Sequence, residues 1–188
     1  MMAAKSLIPM APLIQVTVLT FLLGDSDNEI IEEAKNSLKS IPSSILKGLL
    51  AENIHPNALD FFAKNRTDDS DLMEMIVLNK STPDESFVYL ADKASGKVLD
   101  IIASNQQRML RTHQIANAFK KNQNASKSSV ERVVSFLRMN GIQLEGESAA
   151  LSDKEVKTLI KQTIKNEAIK KKLENTPISS IIAAPASA

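Results

Sequence analysis

An apolar cluster that ends in Asp or Asn recurs three times along this chain at a spacing of 40 residues, and it constrains the fold more than any other feature. Val18, Ala58 and Val98 share one register, as do Leu19, Leu59 and Leu99. Phe21, Phe61 and Ile101 follow, then Leu22, Phe62 and Ile102, then Leu23, Ala63 and Ala103, with Asp25, Asn65 or Asn105 closing each copy. Leu38 against Leu78, and Leu50-Ala51 against Leu90-Ala91, extend the match. Self-similarity at such a period marks units that cannot bury an apolar face alone and do so by stacking. The spacing predicts an all-α fold: a HEAT/armadillo-like helical repeat (α-solenoid) with a period of about 40 residues. Each unit reads as a longer helix (28–40, 68–80, 108–120) followed by two short ones.

Local signals place the helix ends. Pro12 suits a first helical position and Gly24 a terminus, with Leu13 to Leu23 apolar nearly all round, as expected of a helix covered on most sides. Ser26 with Glu29 reads as a capping box, and so do Thr82 with Glu85, Ser128 with Glu131, and Ser152 with Glu155. Pro42 and Pro56 each start a short helix, the acids from Asp68 to Asp71 cap another, and Gly141 closes one. The stretch from Gln107 to Lys120 reads as one continuous helix burying Met109, Leu110, Ile115, Ala116 and Phe119. Asn122 to Lys127 reads as a polar loop. The expected core faces are Ile30, Ile31, Ala34 and Leu38; Leu72, Met75, Ile76 and Leu78; and Phe87, Leu90 and Ala91. Three segments follow: a helical-repeat domain over 7–147, a looser Lys-rich C-terminal helix over 152–175, and a disordered tail over 176–188.

Composition then removes function classes. Lys and Arg number 23 against 22 Asp and Glu, so no global field favours nucleic acid or anionic lipid. Cysteine is absent, which excludes disulfides, thiolate chemistry and Cys-bound zinc and fits a cytoplasmic protein. The uncharged run from Leu7 to Leu23 resembles a signal peptide only superficially. Pro9, Pro12, Gln15, Thr17 and Thr20 interrupt it, and it falls short of the roughly 20 apolar residues of a membrane span. Its register with the later copies makes it the first core helix, so no membrane association is expected.

Candidate chemistry is sparse. The acids from Asp25 to Glu29 open like a calcium loop, but Ile30 and Asn36 stand where an EF-hand needs Gly and Glu. Ala94-Ser95-Gly96-Lys97 lacks the first glycine of a phosphate loop, and Val98 replaces its Ser or Thr. His55 and His113 have no ligand-spaced partner. No catalytic residue, cofactor or metal is therefore expected.

One charged feature remains. Lys154, Lys157, Lys161 and Lys165 run down one helical face, with Lys170 to Lys172 beyond. Val156, Leu159, Ile160 and Ile164 are expected to pack inward behind them. These lysines are the candidate partner-binding residues, for an acidic protein or for phosphates.

The runs from Asn79 to Glu85, Ala103 to Arg111 and Val133 to Glu145 resemble a group of uncharacterised bacterial helical-repeat proteins, in the style of HEAT and leucine-rich-variant repeats. The resemblance covers about Leu7 to Glu147, implies the repeat fold, and brings no catalytic residue with it. The expected function is a protein-interaction or scaffold module with a protein partner. The alternative is nucleic-acid or anionic-surface binding through the face from Lys154 to Lys172.

Overall fold

In the computed structural model of the chain, residues 1–50, 52, 54–146 and 153–174 are described. Among them are eleven α-helices and no strand, so the fold is all-α. The helices are α1 (Pro12–Leu22), α2 (Asn28–Ser40), α3 (Ser43–Leu49), α4 (Pro56–Asn65), α5 (Ser70–Leu78), α6 (Asp84–Lys93), α7 (Gly96–Ser104), α8 (Gln106–Arg111), α9 (His113–Lys121), α10 (Lys127–Met139) and α11 (Asp153–Glu174). None of the described helices is long and apolar enough to cross a membrane. The chain divides into two units, Met1–Val134 and Ser135–Ala188.

Within the first unit, at the 40-residue spacing, Leu19, Leu59 and Leu99 are buried in α1, α4 and α7, but Val18, Leu22 and Leu23 are only half-buried where their counterparts in α4 and α7 are enclosed. In α7 the buried residues Val98, Leu99, Ile102 and Ala103 follow the i, i+1, i+4, i+5 spacing of a single helix face. In α4 the matching Ala58, Leu59, Phe62 and Ala63 are buried, and Phe61 meets Phe62 edge to face at 5.7 Å. Helix α1 packs on α2, α3 and α4; α5 packs on α3, α4 and α7; and α6 packs on α4, α7 and α9. Phe62, Phe87 and Phe119 are the largest fully enclosed side chains of the core.

Several local expectations are corrected. Helix α1 is not covered on most sides: Val16, Leu19 and Thr20 are buried, but Ile14 and Phe21 face solvent. In α5 the buried set is Leu72, Met73, Ile76 and Val77, while Met75 is half-buried and Leu78 is exposed. The cap of α2 is Asp27, whose carboxylate accepts from the Glu29 N–H at 2.8 Å, one residue after Ser26. Helix α10 begins before Ser128, and the Ser126 hydroxyl accepts from the Ser129 N–H at 3.1 Å. Thr82 caps nothing; its buried hydroxyl turns back to donate to the Ile76 carbonyl, and Pro83 occupies the cap position of α6. Asp69 does cap α5, accepting from the Leu72 N–H at 3.1 Å. Ser43 and Leu72 lower its pKa by hydrogen bonding, against an opposing push from burial.

The expected continuous helix over 107–120 is broken at Thr112, which takes φ −131° and ψ 87° between α8 and α9. In the second unit, Gly141 closes α10 in a left-handed conformation, φ 78°. The Gly141 N–H reaches the Arg138 carbonyl and the Ile142 N–H the Leu137 carbonyl, the paired bonds of a Schellman turn. The cap proposed at Ser152 and the tail over 176–188 lie outside the described residues.

Polar bridges recur alongside the apolar register. The Arg66 guanidinium, just past α4, donates to the Ile41 carbonyl at 2.9 Å and the Ser43 hydroxyl at 2.6 Å, at the start of α3. Arg108 repeats this one unit later. It donates to the Thr82 carbonyl at 2.6 Å and the Asp84 carboxylate at 2.8 Å, at the start of α6, and lies 4.1 Å over the Phe87 ring. Asn79 ends α5 and donates to the Leu50 carbonyl while its own oxygen accepts from the Ser81 N–H. Asn122 ends α9 and donates to the Ala91 and Ala94 carbonyls while accepting from the Asn124 N–H. The segment expected as a polar loop thus begins with a buried structural residue.

Candidate interaction clefts and the lysine face

Two clefts open on the first unit, of about 680 and 700 Å³. The first lies between α1 and α4. The second lies between the end of α5 and the α7–α8 junction. Four repeat positions line both: Asp60, Phe61, Lys64 and Asn65 in the first, and Asp100, Ile101, Ser104 and Asn105 in the second. Each pair is 40 residues apart, so the same edge of consecutive equivalent helices builds both walls. An exposed apolar side chain faces each wall. Phe21, 84 % exposed, lines the first cleft, and Leu78, 66 % exposed, lines the second.

The polar groups of the two clefts differ. Both oxygens of Asp60 are engaged: one accepts from Lys64 Nζ at 2.7 Å and the other from the Ser86 hydroxyl at 2.8 Å. Asp100 is exposed, and its backbone carbonyl accepts from the Ser104 hydroxyl. Asn65 Nδ2 donates to the Phe61 carbonyl. His55 lies at the lip of the first cleft, where Nδ1 accepts from the Asn57 N–H at 3.2 Å and so caps α4. His113 is exposed, with Nε2 3.0 Å from the Leu110 carbonyl. Neither imidazole is hydrogen-bonded to a hydroxyl that it could activate. Among the described residues no cluster of His, Asp and Glu is arranged to hold a metal ion. The clefts offer apolar surface framed by hydrogen-bonding groups, which suits side-chain capture.

Asp84, at the start of α6, is held by several donors at once. Its carboxylate accepts from Arg108, from Arg111 at 2.6 and 2.9 Å, and from the Thr112 hydroxyl at 2.6 Å. Arg111 and Thr112 hold its pKa below the ordinary carboxylate value, against burial, which raises it. Burial also lowers the pKa of Arg108, opposed by Asp84. This is a structural clasp, and it pins the backbone where α8 breaks from α9.

Of the lysines singled out by spacing, Lys157, Lys161 and Lys165 are exposed on α11, and the side chain of Lys154 lies outside the described residues. The residues expected behind them do not all turn inward. Val156, Ile160 and Ile164 are 39, 53 and 60 % exposed, and only Leu159 is half-buried. The helix therefore presents an apolar stripe and a lysine stripe side by side. The paired clefts escaped the sequence reading because the 40-residue match locates the buried faces of the helices, whereas clefts form along their edges. Leu78 and Phe21 look like core residues in the sequence. In comparison with known proteins, no family model, curated protein or solved structure matches this chain.

Proposed function

We propose that this chain is a protein-interaction scaffold without catalytic activity, a short HEAT/armadillo-like α-solenoid whose partner lies along the edges of α4 and α7. The observation that carries the reading is the pair of clefts of nearly equal volume, lined by the same four repeat positions. A partner that spans both would place one apolar side chain against Phe21 and Phe61 and a second against Leu78 and Ile101. Such anchors contribute most when they enter pockets already formed. Repeat arrays commonly use an extended surface of this kind, and that link is an analogy at the level of fold.

The lysine face is less suited to nucleic acid. Its neighbours on α11 are aliphatic, and the helix contains no aromatic side chain on which a base could stack. Affinity capture with mass spectrometry tests the reading. Protein partners are expected to survive about 0.3 M salt, where the screening length is under ~8 Å. They are expected to be lost from Phe21→Asp and Leu78→Asp variants that melt normally. Low-micromolar nucleic-acid binding abolished by Lys157→Glu with Lys161→Glu would overturn it.

A further inference from the structure

Charge is distributed unevenly in a chain that is neutral overall. Residues 1–105 carry fifteen acidic and nine basic side chains, whereas residues 106–188 carry seven acidic and fourteen basic. The two extremes also carry exposed apolar surface. On α11, Val156, Ile160 and Ile164 lie four residues apart, a stripe about 12 Å long at 1.5 Å per residue, and each is followed by an exposed lysine at 157, 161 or 165. On α1, Ile14 and Phe21 lie seven residues apart on one exposed face, about 10 Å long by the same rise. The chain then continues through Asp25, Asp27, Glu29, Glu32 and Glu33, of which Asp27, Glu29 and Glu32 are exposed, Glu32 pairing with Lys35 at 2.7 Å on the same helix.

We propose that α11 docks on the α1–α2 face of a second copy of this chain, its isoleucines on Ile14 and Phe21 and its lysines opposite the α2 acids. Pairing of α11 with another α11 is disfavoured, because Lys157, Lys161 and Lys165 would approach the same lysines of the other helix. A lipid surface is a poorer fit, since the helix lacks the aromatic residues that anchor interfacial helices. The contact is heterologous: every copy presents both surfaces, so two copies close reciprocally or many assemble head to tail.

The test uses the purified full chain and two reversal variants. Variant one carries Lys157→Glu, Lys161→Glu and Lys165→Glu; variant two carries Glu29→Lys and Glu32→Lys, and circular dichroism and thermal melts confirm that both fold. Sedimentation equilibrium is expected to show concentration-dependent self-association of the wild-type chain. The association should weaken at least ~10-fold at high salt and in each variant alone, as exposed charge pairs at an interface do. Mixing the two variants should restore association, because the lysine helix of one then meets the intact acids of the other, and the reversed helix meets the reversed acids. A wild-type chain that stays monomeric up to about 100 µM, a range that reveals even weak transient interfaces, overturns the proposal. So does association insensitive to both reversals, or a monomer that instead binds phosphatidylcholine–phosphatidylserine vesicles. Both readings use Phe21, so a second copy and the partner of the first cleft compete for it; failure here leaves the cleft reading intact, since the charge reversals touch neither Phe21 nor Leu78.

Discussion

Replacing Asp84 by Asn keeps the shape of the side chain, removes its charge and places an amide where an acceptor stood. In the wild type the carboxylate receives Arg108, Arg111 and Thr112 together. Arg108 is the costly partner to orphan, with its side chain only 12 % exposed; a hydrogen bond to a charged group contributes about 1.5–3 kcal/mol. The Thr112 bond adds about 1 kcal/mol. Arg111 is 64 % exposed, so its share is about 0.5 kcal/mol. Arg108 retains the Thr82 and Lys80 carbonyls and the Phe87 ring, which limits the loss. The expected cost is about 3 kcal/mol, or a Tm about 6–12 °C lower for a chain of this length. The pH dependence supplies a second check. The Asp84 pKa is depressed on folding, so its contribution is fully present above the unfolded value of 3.8 and is lost as pH falls through the lower folded value. Urea melts of both proteins should show a gap that is constant near neutrality and closes in acid below that value. A gap under about 0.5 kcal/mol at pH 7, the range of ordinary surface changes, or one that persists undiminished into strong acid, refutes the clasp.

Two further outcomes follow from the repeat. Asn122→Ala strands the Ala91 carbonyl at a buried site and leaves Ala94 only the 3.4 Å bond from Asn124, which should cost about 2 kcal/mol in chemical denaturation, the penalty of an unpaired polar group. Leu59→Ala and Leu99→Ala, at one repeat position in α4 and α7, should each cost about 2–5 kcal/mol in thermal melts; His55→Ala removes only a cap of about 1 kcal/mol.

The helices and most of their buried faces were legible because apolar periodicity is a local signal. Leu59, Leu99, Ile102 and Phe119 are enclosed where spacing placed them. Caps were legible only to within a residue or two. Asp25-Ser26-Asp27-Asn28 offers several acceptors in a row, and backbone conformation selects Asp27. The break at Thr112 was illegible, since nothing local in the sequence marks it and its hydroxyl bonds a carboxylate 28 residues upstream. The bridging residues were hidden by a drifting period. Arg66 and Arg108 stand 42 apart and Asn79 and Asn122 stand 43 apart, because loops between helices differ in length while the helices keep their own register. Of the candidate site, only the lysines were readable. The cleft edges depend on how helices meet, which no single-helix pattern records.

The bridges of Arg66 and Asn79, and of Arg108 and Asn122, each reach back only to the preceding unit. A chain joined in this way behaves as a row of links with unequal grip. At the first link the arginine meets a serine hydroxyl that also bonds the Asp69 carboxylate, beside an exposed Lys47–Asp71 pair at 3.0 Å; at the second it meets directly a carboxylate shared with a second arginine and a threonine. Under tension, or in the rare openings that expose amides to exchange, the row should part first between α3 and α4. The three helices α1 to α3 would then peel away while α4 to α9 still hold.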